Sequence, residues 1–95
     1  MWRQGDLLIV KVGAIPKDAV KCDNRILAEG EVTNHLHELD SGEVYMEKDT
    51  LYFRVGVEKA TLVHPEHKPL TFEHGVYRVI RQREYQPQGW RRVSD

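Results

Sequence analysis

Cysteine is almost missing from this chain: Cys22 is the only one among 95 residues, which excludes an internal disulfide. That shortage fits a reducing compartment, and the cytoplasm is the expected location. Long apolar runs are missing too. No segment approaches the roughly 20 apolar residues of a membrane helix. The opening Met-Trp-Arg-Gln-Gly-Asp does not resemble a secretory signal, so no membrane association is expected. Charge of one sign is lacking as well. A formal net charge of -1 argues against a dedicated polyanion binder. No stretch carries apolar residues at the three-to-four spacing of an amphipathic helix. Repeats, low-complexity tracts and linkers are absent, so residues 1–95 read as one domain. A domain of this size has a thin core, in which a bound metal or a second subunit would matter. A homo-oligomer is therefore among the expected assemblies.

What the chain does have is short strands. Leu7-Leu8-Ile9-Val10-Lys11-Val12 is an apolar, β-branched run opened by Gly5-Asp6 and closed by Gly13, as a buried strand is. Residues 14–24 contain Pro16 and read as a loop with one helical turn at 17–20. Further strands are expected at 26–28, 32–39, 44–47, 51–57, 60–64, 70–72 and 76–85. Those at 44–47 and 51–57 form a hairpin across Lys48-Asp49. Leu51, Phe53, Val55 and Val57 alternate with Tyr52, Arg54 and Gly56, the two-residue period of a strand with one buried face. About seven or eight such strands, punctuated by turns, specify an all-β small barrel or sandwich. The expected core holds Leu7, Ile9, Leu27, Phe53, Val55, Leu62, Val79 and Ile80. Trp2 and Trp90, near the two ends of the sequence, are candidates to plug an open end of the fold or to mark a partner surface.

The histidines carry the chemistry. Four of the 5 fall in two tight pairs, His35-Leu36-His37 and His64-Pro65-Glu66-His67. On a strand His35 and His37 share a face, and Pro65 turns the chain directly after His64. If the two segments neighbour each other, the rings of His35, His37, His64 and His67 converge. Convergent imidazoles hold a divalent transition metal such as zinc, iron, nickel or manganese, or supply acid and base near neutral pH. The plainer alternative makes them surface residues flanking a core Leu36. Glu66 is either a partner orienting one of the rings or a solvated loop acid, and His74 before Gly75 is a turn residue.

The second unusual segment is 77–85. Tyr77, Arg81, Arg83 and Tyr85 share a strand face that mixes aromatic and cationic groups, as RNA-binding surfaces do. The competing reading is a solvated strand whose arginines pair with Glu29, Glu31 and Glu43 across the sheet. Acids crowd between Glu29 and Asp49 while arginines dominate after Val76, so one end of the molecule is expected to be acidic and the other basic. Arg3-Gln4-Gly5-Asp6 reads as a turn in which Gly5 takes a positive φ.

The stretch Gly30-Glu31-Val32-Thr33-Asn34-His35-Leu36-His37 resembles the first motif of the cupins, a glycine followed by H-x-H. The spacing is one residue short, Glu38 or Glu43 would stand for the cupin glutamate, and the second cupin motif is replaced by His64-Pro65-Glu66-His67-Lys68-Pro69. Over residues 3–85 the combined pattern R-Q-G-D, G-E-x-T-x-H-x-H, H-x-E-H-x-P and Y-R-V-x-R-Q-R-E-Y resembles a group of small bacterial and phage-associated proteins with no assigned activity. Where that group usually has glycine before the first paired histidine, this chain has Asn34. The resemblance implies a signature of His35, His37, His64, His67, Arg81, Gln82 and Glu84. Three functions follow from these residues: a metal-binding domain or minimal metalloenzyme, a module binding RNA or a protein through 77–85, and a metal-free hydrolase or ribonuclease using histidine as acid and base.

Overall fold

The computed structural model describes residues 1–29 and 35–81. They form an all-β fold of ten strands, β1 (Trp2–Gln4), β2 (Leu7–Val12), β3 (Val20–Lys21), β4 (Ile26–Glu29), β5 (Leu36–Leu39), β6 (Glu43–Glu47), β7 (Thr50–Val55), β8 (Ala60–His64), β9 (His67–Phe72) and β10 (Gly75–Arg81). A six-stranded sheet runs β1-β2-β10-β7-β6-β3 and a four-stranded sheet runs β4-β5-β8-β9. The paired strands are antiparallel. The two sheets face each other as a sandwich and do not close into a barrel. Among the described residues no helix is long and apolar enough to cross a membrane.

Alternation along the strands builds the core. Leu7 and Ile9 on β2, Val44 on β6, Phe53 and Val55 on β7, Tyr77 and Val79 on β10 point inward from the larger sheet. Leu27, Ala28, Leu39, Ala60, Leu62 and Phe72 answer from the smaller one. Phe53 stacks on Tyr77 at 4.9 Å, and Phe72 meets both edge-on. Trp2 packs edge-on against Phe72 and Tyr77, closing that end of the sandwich, while Trp90 lies outside the described residues. Ile80, expected in the core, is only half-buried, because the two-residue period that buries Tyr77 and Val79 turns it to the other face.

Local chemistry accounts for the turns. Lys48-Asp49 joins β6 to β7, with Glu47 opposite Thr50 and Lys48 at φ 58°. Gly5-Asp6 joins β1 to β2 with Gly5 at φ 62°, the pattern of a type II′ turn, whose first central residue favours glycine. Pro65-Glu66 joins β8 to β9, with His64 opposite His67. Proline fixes a negative φ, which suits the first central position of a type I or II turn and not the primed kind at Gly5. Two strands were not legible in advance: β1, hidden in the Arg3-Gln4-Gly5-Asp6 turn, and β3, which lies where a helical turn was expected. Only one turn bond, from the Ala19 amide to the Pro16 carbonyl, precedes β3. Val20 and Lys21 instead pair with Met46 and Tyr45 at the sheet edge.

Candidate histidine site

β5 and β8 are neighbours and β8 pairs with β9, so the two histidine segments share one sheet. The centroids of His37 and His64 are 4.2 Å apart, those of His64 and His67 4.6 Å, and those of His37 and His67 5.9 Å. His35 stands 5.7 Å from His64 and 3.7 Å from the Glu66 carboxylate. His37, His64 and His67 are thus in mutual contact, with His35 at the rim. The reading of these histidines as surface residues flanking a core Leu36 fails at His37 and Leu36, whereas His67 is exposed and His35 and His64 are half-buried. His37 is 4% exposed and points inward with Leu39, whereas Leu36 is only half-buried.

Among the described residues the buried polar side chains are Gln4 and His37, and they are bonded to each other. The Gln4 amide nitrogen donates to the Leu62 and Lys68 carbonyls at 3.0 and 2.9 Å, which uses both its hydrogens and ties the edge of the large sheet to β8 and β9. A flipped amide would set its oxygen against two carbonyl oxygens, so the orientation is fixed. Gln4 Oε1 is therefore an acceptor, and it lies 2.9 Å from His37 Nδ1. The His37 proton must sit on Nδ1, which leaves a lone pair on Nε2. His64 is tied the other way. Its Nδ1 accepts the Glu66 amide at 3.0 Å, so its neutral ring carries the proton on Nε2.

Electrostatics favour the neutral form of two rings, His37 and His64. Burial, reinforced by His64, drives the His37 pKa down to about 4, against the opposing pull of Asp6. Burial also lowers His64, with His67 and His35 adding to it. Desolvation and like-charge neighbours both disfavour imidazolium.

The Gly5-Asp6 turn lies over the group. A Cβ on Gly5 would stand 3.0 Å from His67 Nε2 and 3.2 Å from His37 Cε1. Arg81 reaches the same turn, with Nη2 3.9 Å from Asp6 Oδ2. Gln4, Gly5 and Asp6 are the site residues that sequence reasoning missed. Their Arg-Gln-Gly-Asp motif was visible, but nothing local says that a turn at the start of the chain will fold over β9. On the opposite side an open groove of about 500 Å³ is lined by His35, Leu36, Glu38, Val63, His64 and Pro65.

The other expected surface fares differently. Tyr77 is 2% exposed, with its hydroxyl donating to the Glu73 carbonyl at 2.7 Å. It is a core residue, not part of a binding face, because its side of β10 is the side that meets the smaller sheet. Arg81 follows it on that inner side, while Arg83 and Tyr85 lie outside the described residues. Glu43 pairs with Arg54 and Lys21, and the ion pair of Arg81 is with Asp6, so the expected pairing of Arg81 with Glu43 is not made. As the side chains stand, no group of three or more His, Cys, Asp or Glu among the described residues is set to hold a metal ion.

Residues 3–82 match the family described as "Domain of unknown function (DUF8820)", and the chain belongs to that family. No curated protein and no solved structure matches it.

Proposed function

We propose that this member of a family of unknown function is a metal-binding domain in which His37, His64 and His67, with His35 at the rim, hold one divalent transition metal. The observation that carries the reading is the Gln4–His37 bond. It fixes the tautomer with a free Nε2 lone pair, as the outer partners of metal-bound histidines do. The ring spacings support it. With a metal–nitrogen bond of about 2.0–2.1 Å, tetrahedral imidazoles have centroids about 5 Å apart, and the separations here run from 4.2 to 5.9 Å. An all-imidazole set suits zinc, iron or nickel better than manganese, which prefers carboxylate and water.

The pKa of His37 favours ligation over acid–base catalysis. A base with a pKa of about 4 is far weaker than proton transfer near pH 7 requires. A ligand, by contrast, gains from being neutral already, since no proton has to be displaced. The bond from the Glu66 amide to His64 Nδ1 is the metal-free arrangement. Ligation through Nε2 would need the His64 proton moved to Nδ1 and that turn bond released.

Calorimetric titration of zinc into the wild type and a His64→Ala/His67→Ala variant tests the reading. Both rings lie at the surface turn, so the variant should keep the fold. The wild type should bind one zinc, and the variant should bind it at least 100-fold more weakly. Absence of binding to the wild type, or equal affinity in the two, would reject the proposal.

A further inference from the structure

The outward side of the six-stranded sheet lacks the polar cover usual on the solvated face of an antiparallel sheet. β2 and β10 turn Leu8, Val10, Val12, Val76 and Ile80 away from the core, each of them half-buried. An apolar outer face of this kind marks an interaction surface. The strand registers line up one row from β3 to β2. Lys21 stands opposite Tyr45, Tyr45 opposite Tyr52, Tyr52 opposite Arg78 and Arg78 opposite Val10. Directly opposed residues have Cβ atoms about 4.5–5.5 Å apart, so the row is continuous.

Arg54, exposed on β7, stands opposite Glu43 and Val76 on the same face. Its guanidinium lies over the Tyr45 ring, 5.5 Å from the centroid. The Tyr45 hydroxyl donates to Glu43 at 2.8 Å, which holds that ring in place. Flat groups thus stand side by side on β6, β7 and β10: Arg54 on Tyr45, then Tyr52, then Arg78. Arg3, opposite Leu8, carries positive charge on toward β1. The acid nearest the row, Glu43, is engaged by Lys21 and Arg54.

We propose that this face binds single-stranded nucleic acid, with bases stacked on Tyr52 and on the Arg54 guanidinium and phosphates met by Arg78 and Arg3. Unpaired bases stack on tyrosine rings and guanidinium planes. A duplex keeps its base faces inside its own stack and cannot use them. A second copy of the chain would bring another set of Arg3, Arg54 and Arg78 to one interface, whereas phosphates complement them. The face is the reverse side of β10 from Tyr77 and Arg81, and the histidine group belongs to the other sheet and its β8–β9 turn, so the proposal is independent of the metal-binding reading. With a formal net charge of -1 the chain has little long-range attraction for a polyanion. Stacking must then carry the affinity, and two or three arginine contacts should give a logarithmic salt slope of only about 1.5–2.

The test is fluorescence anisotropy of the full chain, in EDTA, with labelled RNA and DNA of one mixed sequence of about ten nucleotides. Binding should be saturable and roughly 10-fold tighter than to the same strand annealed to its complement. A preference for one sugar would name the source of the ligand. Tyr52→Ala should weaken binding roughly 10-fold, the worth of one lost stack, while Tyr52→Phe keeps the ring and should stay within about 2-fold. Arg78→Gln should lower the salt slope by about 0.7. Arg54→Ala, at an exposed position, should lose roughly 5-fold, and it decides the matter if Tyr52→Ala does not fold. No binding by the wild type, unchanged affinity in the folded variants, or a duplex held as tightly as the single strand would overturn the proposal. A wild type that sediments as a dimer and binds neither oligonucleotide would overturn it too and give the face to a second copy.

Discussion

Replacing Gln4 by methionine keeps the length of the side chain and removes all of its polar atoms. Three groups then lose a partner: the Leu62 carbonyl, the Lys68 carbonyl and the His37 ring N–H. The Lys68 bond is only partly buried, so water can replace it. The other two are buried, and a buried polar group left without a partner costs about 1–3 kcal/mol. His37 can recover part of that by moving its proton to Nε2. The net loss should be about 2–4 kcal/mol, a large share of the 5–15 kcal/mol typical of a domain. At about 4–8 °C per kcal/mol for a chain this small, the melting temperature should drop by roughly 10–20 °C. Urea unfolding should show a lower midpoint at an unchanged slope, the sign of lost stability rather than altered compactness. The same variant should bind zinc about 10–100-fold more weakly, because nothing then holds the His37 tautomer. A variant within about 0.5 kcal/mol of wild type, the range of an ordinary surface change, would refute the reasoning. It would mean that neither sheet-to-sheet tie nor ring orientation depends on Gln4.

Acid should destabilise the fold through His37. Its pKa is about 4 in the folded chain against an ordinary 6.5, so between those values the unfolded chain binds the proton more readily. Its contribution is complete above about pH 6.5 and is lost as pH falls toward 4, amounting to about 3 kcal/mol. His64, also lowered by burial, acts in the same direction. Urea midpoints measured from pH 7.5 to 4.5 should fall, more steeply in the wild type than in His37→Asn, and parallel curves would speak against the assignment. Phe53→Ala should cost about 3–5 kcal/mol, since that ring is fully buried between Tyr77 and Phe72. A loss below about 1 kcal/mol in thermal unfolding would show that the sheets do not meet there.

Strand identity and much of the core were legible in the sequence, because a two-residue period is a local property. The alternation of Leu51, Phe53 and Val55 declares an inner face wherever the strand ends up. The same-side placement of His35 and His37 follows from that period too, and Pro65 marks the turn that sets His64 opposite His67. Three things were decided only by tertiary structure. Which face of β10 is buried depends on the sheet packed against it. The mixed Tyr and Arg pattern reads equally well as a solvent face, yet the smaller sheet takes Tyr77 into the core and draws Arg81 in behind it. β3 exists because β6 offers an open edge; its two residues carry no strand signal of their own. Above all, Gln4 and His37 are separated by |i−j| = 33, and their bond forms only because the β1–β2 hairpin folds onto β8 and β9. No local pattern encodes that meeting, and on it depend the tautomer of His37 and the lone pair left on its other nitrogen.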